Sequence, residues 1–153
     1  ESNAALCFAS GMAAMSAVLF SLTVPGDTIV VSDEHYAGAK DLFNSLEEAG
    51  DRKIVHVNVR NVESVVKVVA AREASMLFLE SATNGSAKVA NIPRITELLN
   101  ESDISTCVVV DNTWLSPLFF NPLKCGADVV LDSATKYLCG NASTLLGIVT
   151  IRS

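Results

Sequence analysis

The sequence predicts an α/β fold, a three-layer αβα arrangement around a mostly parallel sheet. Three observations lead there. Short apolar or β-branched runs alternate with longer stretches of helical periodicity. The short runs are continuously apolar rather than alternating, which fits strands covered on both faces. Half of the 153 residues are apolar and only 18% are charged, enough to build a core in one domain.

Each element has its own signal. Met12, Met15, Leu19 and Leu22 recur at helical spacing and predict a helix over residues 10–20. Ser10 supplies its cap and Gly11 a close approach. Val24-Pro25-Gly26-Asp27 stops it and turns the chain. Residues 28–31 are a β-branched strand that leaves the core through Ser32 and Asp33. Ala39, Leu42, Phe43 and Leu46 form a second helical stripe, closed by Gly50. Residues 54–57 read as the next strand. Asn61 then caps a third helix with Val62, Val65, Val66 and Val69 on one face.

Residues 76–79 form a strand that ends in Glu80 and Ser81. Pro93 suits the first turn of a fourth helix carrying Ile95, Leu98 and Leu99. Residues 107–110 form a strand ending in Asp111 and Asn112, and Cys107 reads as a buried thiol. A turn-rich stretch with Pro117 and Pro122 leads to residues 129–131, which end in Asp132 and Ser133. Residues 145–151 are a last apolar run. The link before it is too short for a helical crossover, so this strand is expected to be antiparallel.

Composition excludes several functions. The net charge is −6 and no basic stripe is visible, which argues against nucleic acid. No apolar run approaches membrane-spanning length. The four cysteines and two histidines lack metal-ligand spacing, so no metal site is expected. No signal-peptide pattern is seen, and a reducing, cytoplasmic setting is expected.

Several strands end in acids: Asp33, Glu80, Asp111 and Asp132. In open α/β sheets ligands lie beyond the carboxyl ends of the strands. Lys136 follows such an end, in Asp132-Ser133-Ala134-Thr135-Lys136-Tyr137. A lysine amine can form a Schiff base with an aldehyde, including that of pyridoxal phosphate. A pyridoxal phosphate site needs that amine, a carboxylate against the ring nitrogen, an aromatic ring on the cofactor face and donors for the phosphate. The chain has one candidate for each: Lys136, Asp111, Tyr36 and the helix start at Ser10-Gly11-Met12. The Ser133 and Thr135 hydroxyls could add phosphate donors.

These segments carry a resemblance. Ala9-Ser10-Gly11-Met12-Ala13-Ala14, Val110-Asp111-Asn112-Thr113 and Ser133-Ala134-Thr135-Lys136-Tyr137 resemble the Cys/Met-metabolism family of pyridoxal-phosphate enzymes, which includes cystathionine γ-synthase, γ-lyase and β-lyase. Leu79-Glu80-Ser81-Ala82-Thr83-Asn84 is similar to the family's Glu-Ser-Pro-Thr-Asn stretch. The motifs run over nearly the whole chain in the family's order.

The resemblance implies a fold type I large domain, the cofactor pyridoxal 5'-phosphate, and carbon–sulfur lyase or transferase chemistry of transsulfuration on cystathionine or related sulfur amino acids. Lys136 would bond the cofactor and move protons. Tyr36 would stack on the ring and assist proton transfer. Asp111 would pair with the pyridine nitrogen. Gly11 and Met12 amides, with Ser10, Ser133 and Thr135, would hold the phosphate. Asn84 would lie near the substrate carboxylate or the cofactor's phenolic oxygen. The family assembles as a tetramer, a dimer of dimers.

The resemblance also implies that residues 1–153 are an incomplete large domain. The family's N-terminal arm, which brings a cationic phosphate partner from the neighbouring subunit, and its C-terminal domain are expected outside it. The segment alone is therefore expected to bind the cofactor weakly. Some positions depart from the pattern. Cys139-Gly140-Asn141-Ala142-Ser143 stands where Gly-Gly-His-Ser-Asp is usual, Ala82 and Gly85 stand at proline positions, and Ala37-Gly38-Ala39 stands for Gly-Gly-Thr. They motivate an alternative: a degenerate, non-catalytic relative that keeps the fold for oligomerisation or regulation.

Overall fold

The computed structural model describes residues 4–152. Seven strands form one sheet: β1 (Ala4–Phe8), β2 (Thr28–Ser32), β3 (Lys53–Val57), β4 (Met76–Glu80), β5 (Cys107–Asp111), β6 (Val129–Ser133) and β7 (Gly147–Ile151). Their order is β1-β7-β6-β5-β4-β2-β3. The pairs from β3 through β6 are parallel, and β7 runs antiparallel to both β6 and β1. The antiparallel last strand agrees with its short connection.

Helices cover both faces, giving the three layers. On one face, α1 (Gly11–Leu22) and α2 (Ala37–Glu48) set Met15, Leu19 and Phe43 against Ile29, Val31, Phe78 and Val109. Phe43 and Phe78 meet edge to face with centroids 5.4 Å apart. On the other face, α3 (Val62–Ala71) and α4 (Ile92–Glu101) set Val65, Val69, Ile95 and Leu99 against Val30, Leu77, Leu79 and Val110. Alternate residues of each central strand thus feed two separate cores, which is why these strands read as unbroken apolar runs.

The caps form as their residue types suggest. Ser10 Oγ accepts the Ala13 N–H at 3.0 Å, and Asn61 Oδ1 accepts that of Ser64 at 2.9 Å. Pro93 lies in the first turn of α4, behind Asn91 as N-cap.

The structure differs from expectation in four places. β1 is a strand that periodicity does not reveal. The turn-rich stretch contains a short helix, α5 (Ser116–Phe119), and a 3-10 turn at Pro122–Cys125. Leu22, expected in the apolar stripe of α1, is exposed, because it lies in the last turn beyond the sheet's cover. Cys107 is half-buried rather than buried, since it opens β5 at the sheet's rim. Burial still pushes its thiol up to about 11.

The strand order places a topological switch between β2 and β4. From β2 the chain moves outward to β3, then returns on the other side to β4. Their following loops diverge there and leave a crevice at the carboxyl ends.

Candidate active site

A cavity of about 250 Å³ lies at the carboxyl ends of β4, β5 and β6. All nine residues singled out from the sequence line it: Ser10, Gly11, Met12, Tyr36, Asn84, Asp111, Ser133, Thr135 and Lys136. It shares Asn84, Thr113, Trp114, Thr135, Lys136 and Leu145 with a wider outer cavity of about 700 Å³. Lys136 and Asp111 therefore face one space, although they come from different strand ends.

Asp111 ends β5. Its Oδ1 accepts the Thr113 N–H at 2.9 Å. Burial holds its proton more tightly than in an ordinary carboxyl, with Thr113 pulling the other way. A cation in the cavity would reverse that shift, so the site suits a protonated ring nitrogen. Thr113 also ties β5 to β6, its Oγ1 accepting the Ser133 N–H at 2.7 Å.

The start of α1 supplies the opposite polarity. The Ser10 side chain and carbonyl take the Ala13 and Ala14 N–H groups, leaving those of Gly11 and Met12 without partners among the described residues. Two free donors at the positive end of a 12-residue helix suit an anion. A Cβ on Gly11 would lie 2.7 Å from Ser133 Cβ and 2.9 Å from Ser133 Oγ, so only glycine lets α1 meet β6 this closely. Ser133 Oγ is thereby brought beside the free amides. Donors for an anion at one end and a carboxylate at the other fit the phosphate and ring nitrogen of pyridoxal phosphate.

Thr135 is used differently from Ser133. Its Oγ1 donates to the Leu146 carbonyl at 3.3 Å and accepts the Leu146 N–H at 3.0 Å. Its only hydroxyl proton is thus engaged in fixing the approach to β7. The loop after Lys136 closes on Asn141, whose Oδ1 accepts the Ser143 hydroxyl at 2.6 Å. Lys136 itself makes no ion pair among the described residues.

Tyr36 stands on the far wall, at the start of α2. A Cβ on Gly38 would lie 2.7 Å from Tyr36 Cε1 and 3.1 Å from Met12 Sδ, so the ring folds back over a glycine. Sequence reasoning missed five lining residues: Met15, Glu80, Thr113, Trp114 and Leu145. Thr113 had a signal, lying two residues after Asp111. Glu80 had one too, as a strand-end acid, but that signal is shared with Asp33.

The family model described as Cys/Met metabolism PLP-dependent enzyme matches residues 1–153. The chain is 38% identical over 151 residues to cystathionine beta-lyase of Neurospora crassa, covering 99% of this chain and 33% of that protein. It is 36% identical over 140 residues to cystathionine gamma-synthase of Escherichia coli, covering 92% of this chain and 36% of that protein. The crystal structure of cystathionine gamma synthase from Xanthomonas oryzae pv. oryzae in complex with cystathionine superposes with a TM-score of 0.93 at 30% identity, covering 99% of this chain and 38% of that one. The chain spans about a third of the length of the curated relatives it matches. It belongs to the Cys/Met metabolism family of pyridoxal-phosphate-dependent enzymes.

Proposed function

We propose that the full-length protein carrying this chain is a carbon–sulfur lyase or transferase of transsulfuration type, acting on cystathionine or a related sulfur amino acid. The observation that carries this reading is one cavity lined by Lys136, Asp111, Tyr36 and the free start of α1. Pyridoxal phosphate, when bound, supplies the electron sink that stabilises negative charge at the substrate's α carbon. Lys136 Nζ would hold the cofactor and, once displaced by the substrate's own amine, would carry protons between the substrate's carbons. Asp111 keeps the ring nitrogen protonated. Tyr36 would stack on the ring and assist proton transfer. Gly11 and Met12 N–H groups with the Ser10 and Ser133 hydroxyls hold the phosphate. Thr135 contributes by fixing the segment that carries Lys136 and Leu145. Asn84 orients the substrate carboxylate or the cofactor's phenolic oxygen.

The chain forms the cofactor-binding large domain of a longer protein that assembles as a homotetramer, a dimer of dimers. Exposed apolar side chains near the cavity mouth, Trp114 and Leu145 among them, support cover by another surface. A cytoplasmic, reducing setting suits the four free cysteines. No helix of the described residues is long and apolar enough to cross a membrane. No specific observation favours the degenerate alternative.

The test is thiol release from cystathionine by the purified full-length protein. Pyruvate as co-product marks β-elimination and 2-oxobutyrate marks γ-elimination. Lys136→Ala should abolish both. A wild-type protein that releases no thiol and exchanges none would overturn the reading.

A further inference from the structure

The geometry points to Glu80 as a positioning residue: its carboxylate fixes the backbone of Tyr36 and Asn84, and so sets where these two side chains stand in the cavity. This rests on the function proposed above. Glu80 ends β4 at the switch point and is only 4% exposed. Its Oε1 accepts the Tyr36 N–H at 2.7 Å, and its Oε2 accepts the Asn84 N–H at 2.6 Å. The two donors belong to the two loops that diverge around the crevice. Each oxygen takes one loop, so neither N–H is left unpaired at the base of the site.

Only a carboxylate does this. A side-chain amide of the same shape has one acceptor oxygen and would set an NH2 group against the second N–H. A second clamp joins the same loops at the rim. Lys88 Nζ lies 3.0 Å from Asp33 Oδ2 and 2.7 Å from Glu34 Oε1. That ion pair is partly solvated and therefore weak. The buried clamp is the one that determines loop position. Both carboxylate oxygens are engaged by backbone N–H groups, so the effect of Glu80 passes through Tyr36 and Asn84. Asp111 is the charged group that faces Glu80 from the neighbouring strand.

The test uses the full-length protein. In the cofactor-free form, residue-resolved amide exchange should show Tyr36 and Asn84 protected together. Glu80→Gln should raise exchange at one or both by about tenfold or more while β4 and β5 stay protected. In the holoenzyme, Glu80→Gln should lower kcat/KM by about tenfold, and the loss combined with Asn84→Ala should fall well short of the product of the single losses. Lys88→Met, which removes the rim ion pairs and leaves the Ser86–Glu34 hydrogen bond, should leave both readouts near wild type.

Unchanged exchange in Glu80→Gln, or fully multiplicative losses, would overturn the proposal. Should Glu80→Gln not fold, the wild type still decides: the two amides must gain and lose protection in parallel between about pH 6 and about pH 8, after correction for intrinsic rates. Independent behaviour would overturn it. If no thiol is released by the wild type but the exchange result holds, the functional reading fails and the clamp stands.

Discussion

Glu80 and Asp111 are paired residue for residue across the parallel strands β4 and β5, and both follow side chains of the α1–α2 core, Phe78 and Val109. Two acids therefore stand side by side on one face of the sheet end. Burial raises both, and the charge of Asp111 adds to the rise at Glu80. A cationic ring nitrogen in the cavity would relieve that arrangement. Asp111→Asn keeps the acceptor for the Thr113 N–H but removes the charge. The cofactor-free variant should melt no lower than wild type, and its holoenzyme should lose on the order of a hundredfold or more in kcat/KM. A marked fall in the melting temperature with activity retained would contradict this account of Asp111.

The same burial makes stability depend on pH. Glu80 is raised from 4.5 to about 7 by burial, against the two N–H groups it accepts. Asp132, on the opposite face, is raised from 3.8 to about 6 by burial and then by Asp111. An acid whose folded value lies above its unfolded one favours folding at low pH, and that advantage is lost as pH rises through the folded value. Denaturant melts of the cofactor-free protein should show wild type losing ground to Glu80→Gln between about pH 4.5 and about pH 7. Asp132→Asn should do the same in a window about one unit lower. A wild-type-to-variant difference independent of pH would count against burial as the cause.

Gly11 and Gly147 should respond unequally to alanine. At Gly11 the new methyl would press on Ser133, costing about 1–3 kcal/mol and pushing the free amides away from β6. The expected result is a folded protein that holds pyridoxal phosphate at least about tenfold more weakly, read by equilibrium dialysis. At Gly147 the methyl would lie 2.1 Å from the Ser10 carbonyl oxygen, a backbone atom that cannot swing aside. Gly147→Ala should yield little soluble protein. Equal cofactor affinity in Gly11→Ala and wild type would remove the phosphate role from this junction.

Ser10 separates capping from anion binding. Ser10→Ala removes the acceptor for the Ala13 N–H and should cost about 1 kcal/mol in thermal or denaturant melts. Ser10→Asp restores the cap but places a negative charge beside the proposed phosphate position. It should match wild type in cofactor-free stability and bind cofactor more weakly. Undiminished binding by Ser10→Asp would argue that the phosphate lies elsewhere.

The central strands and their helices were legible because their signals are local. Thr28–Ser32 and Cys107–Asp111 are apolar on both faces because two helical layers cover them, and Ser10 and Asn61 announce their helices through their side chains. β1 was not legible. Ala4-Ala5-Leu6-Cys7-Phe8 has no β-branched residue, lies mostly exposed, and is a strand only because β7, from the far end of the chain, pairs with it. The site divides in the same way. Lys136, Asp111 and Tyr36 stand at strand ends or helix starts, where sequence order is informative. That Thr135 points its hydroxyl at Leu146 while Ser133 leaves its own beside α1 depends on the turn between β6 and β7. That Glu80 grips two loops depends on a contact between residues 44 positions apart. No local pattern encodes either.

The proposed function requires Lys136 to bond the cofactor in the cavity it shares with Asp111. Borohydride reduction of the full-length holoprotein, followed by digestion and peptide mass mapping, tests it most directly. A pyridoxyl-phosphate mass is expected on Lys136 and absent from Lys136→Ala. Label on a different lysine, or none in a protein that retains the cofactor through dialysis, would contradict it.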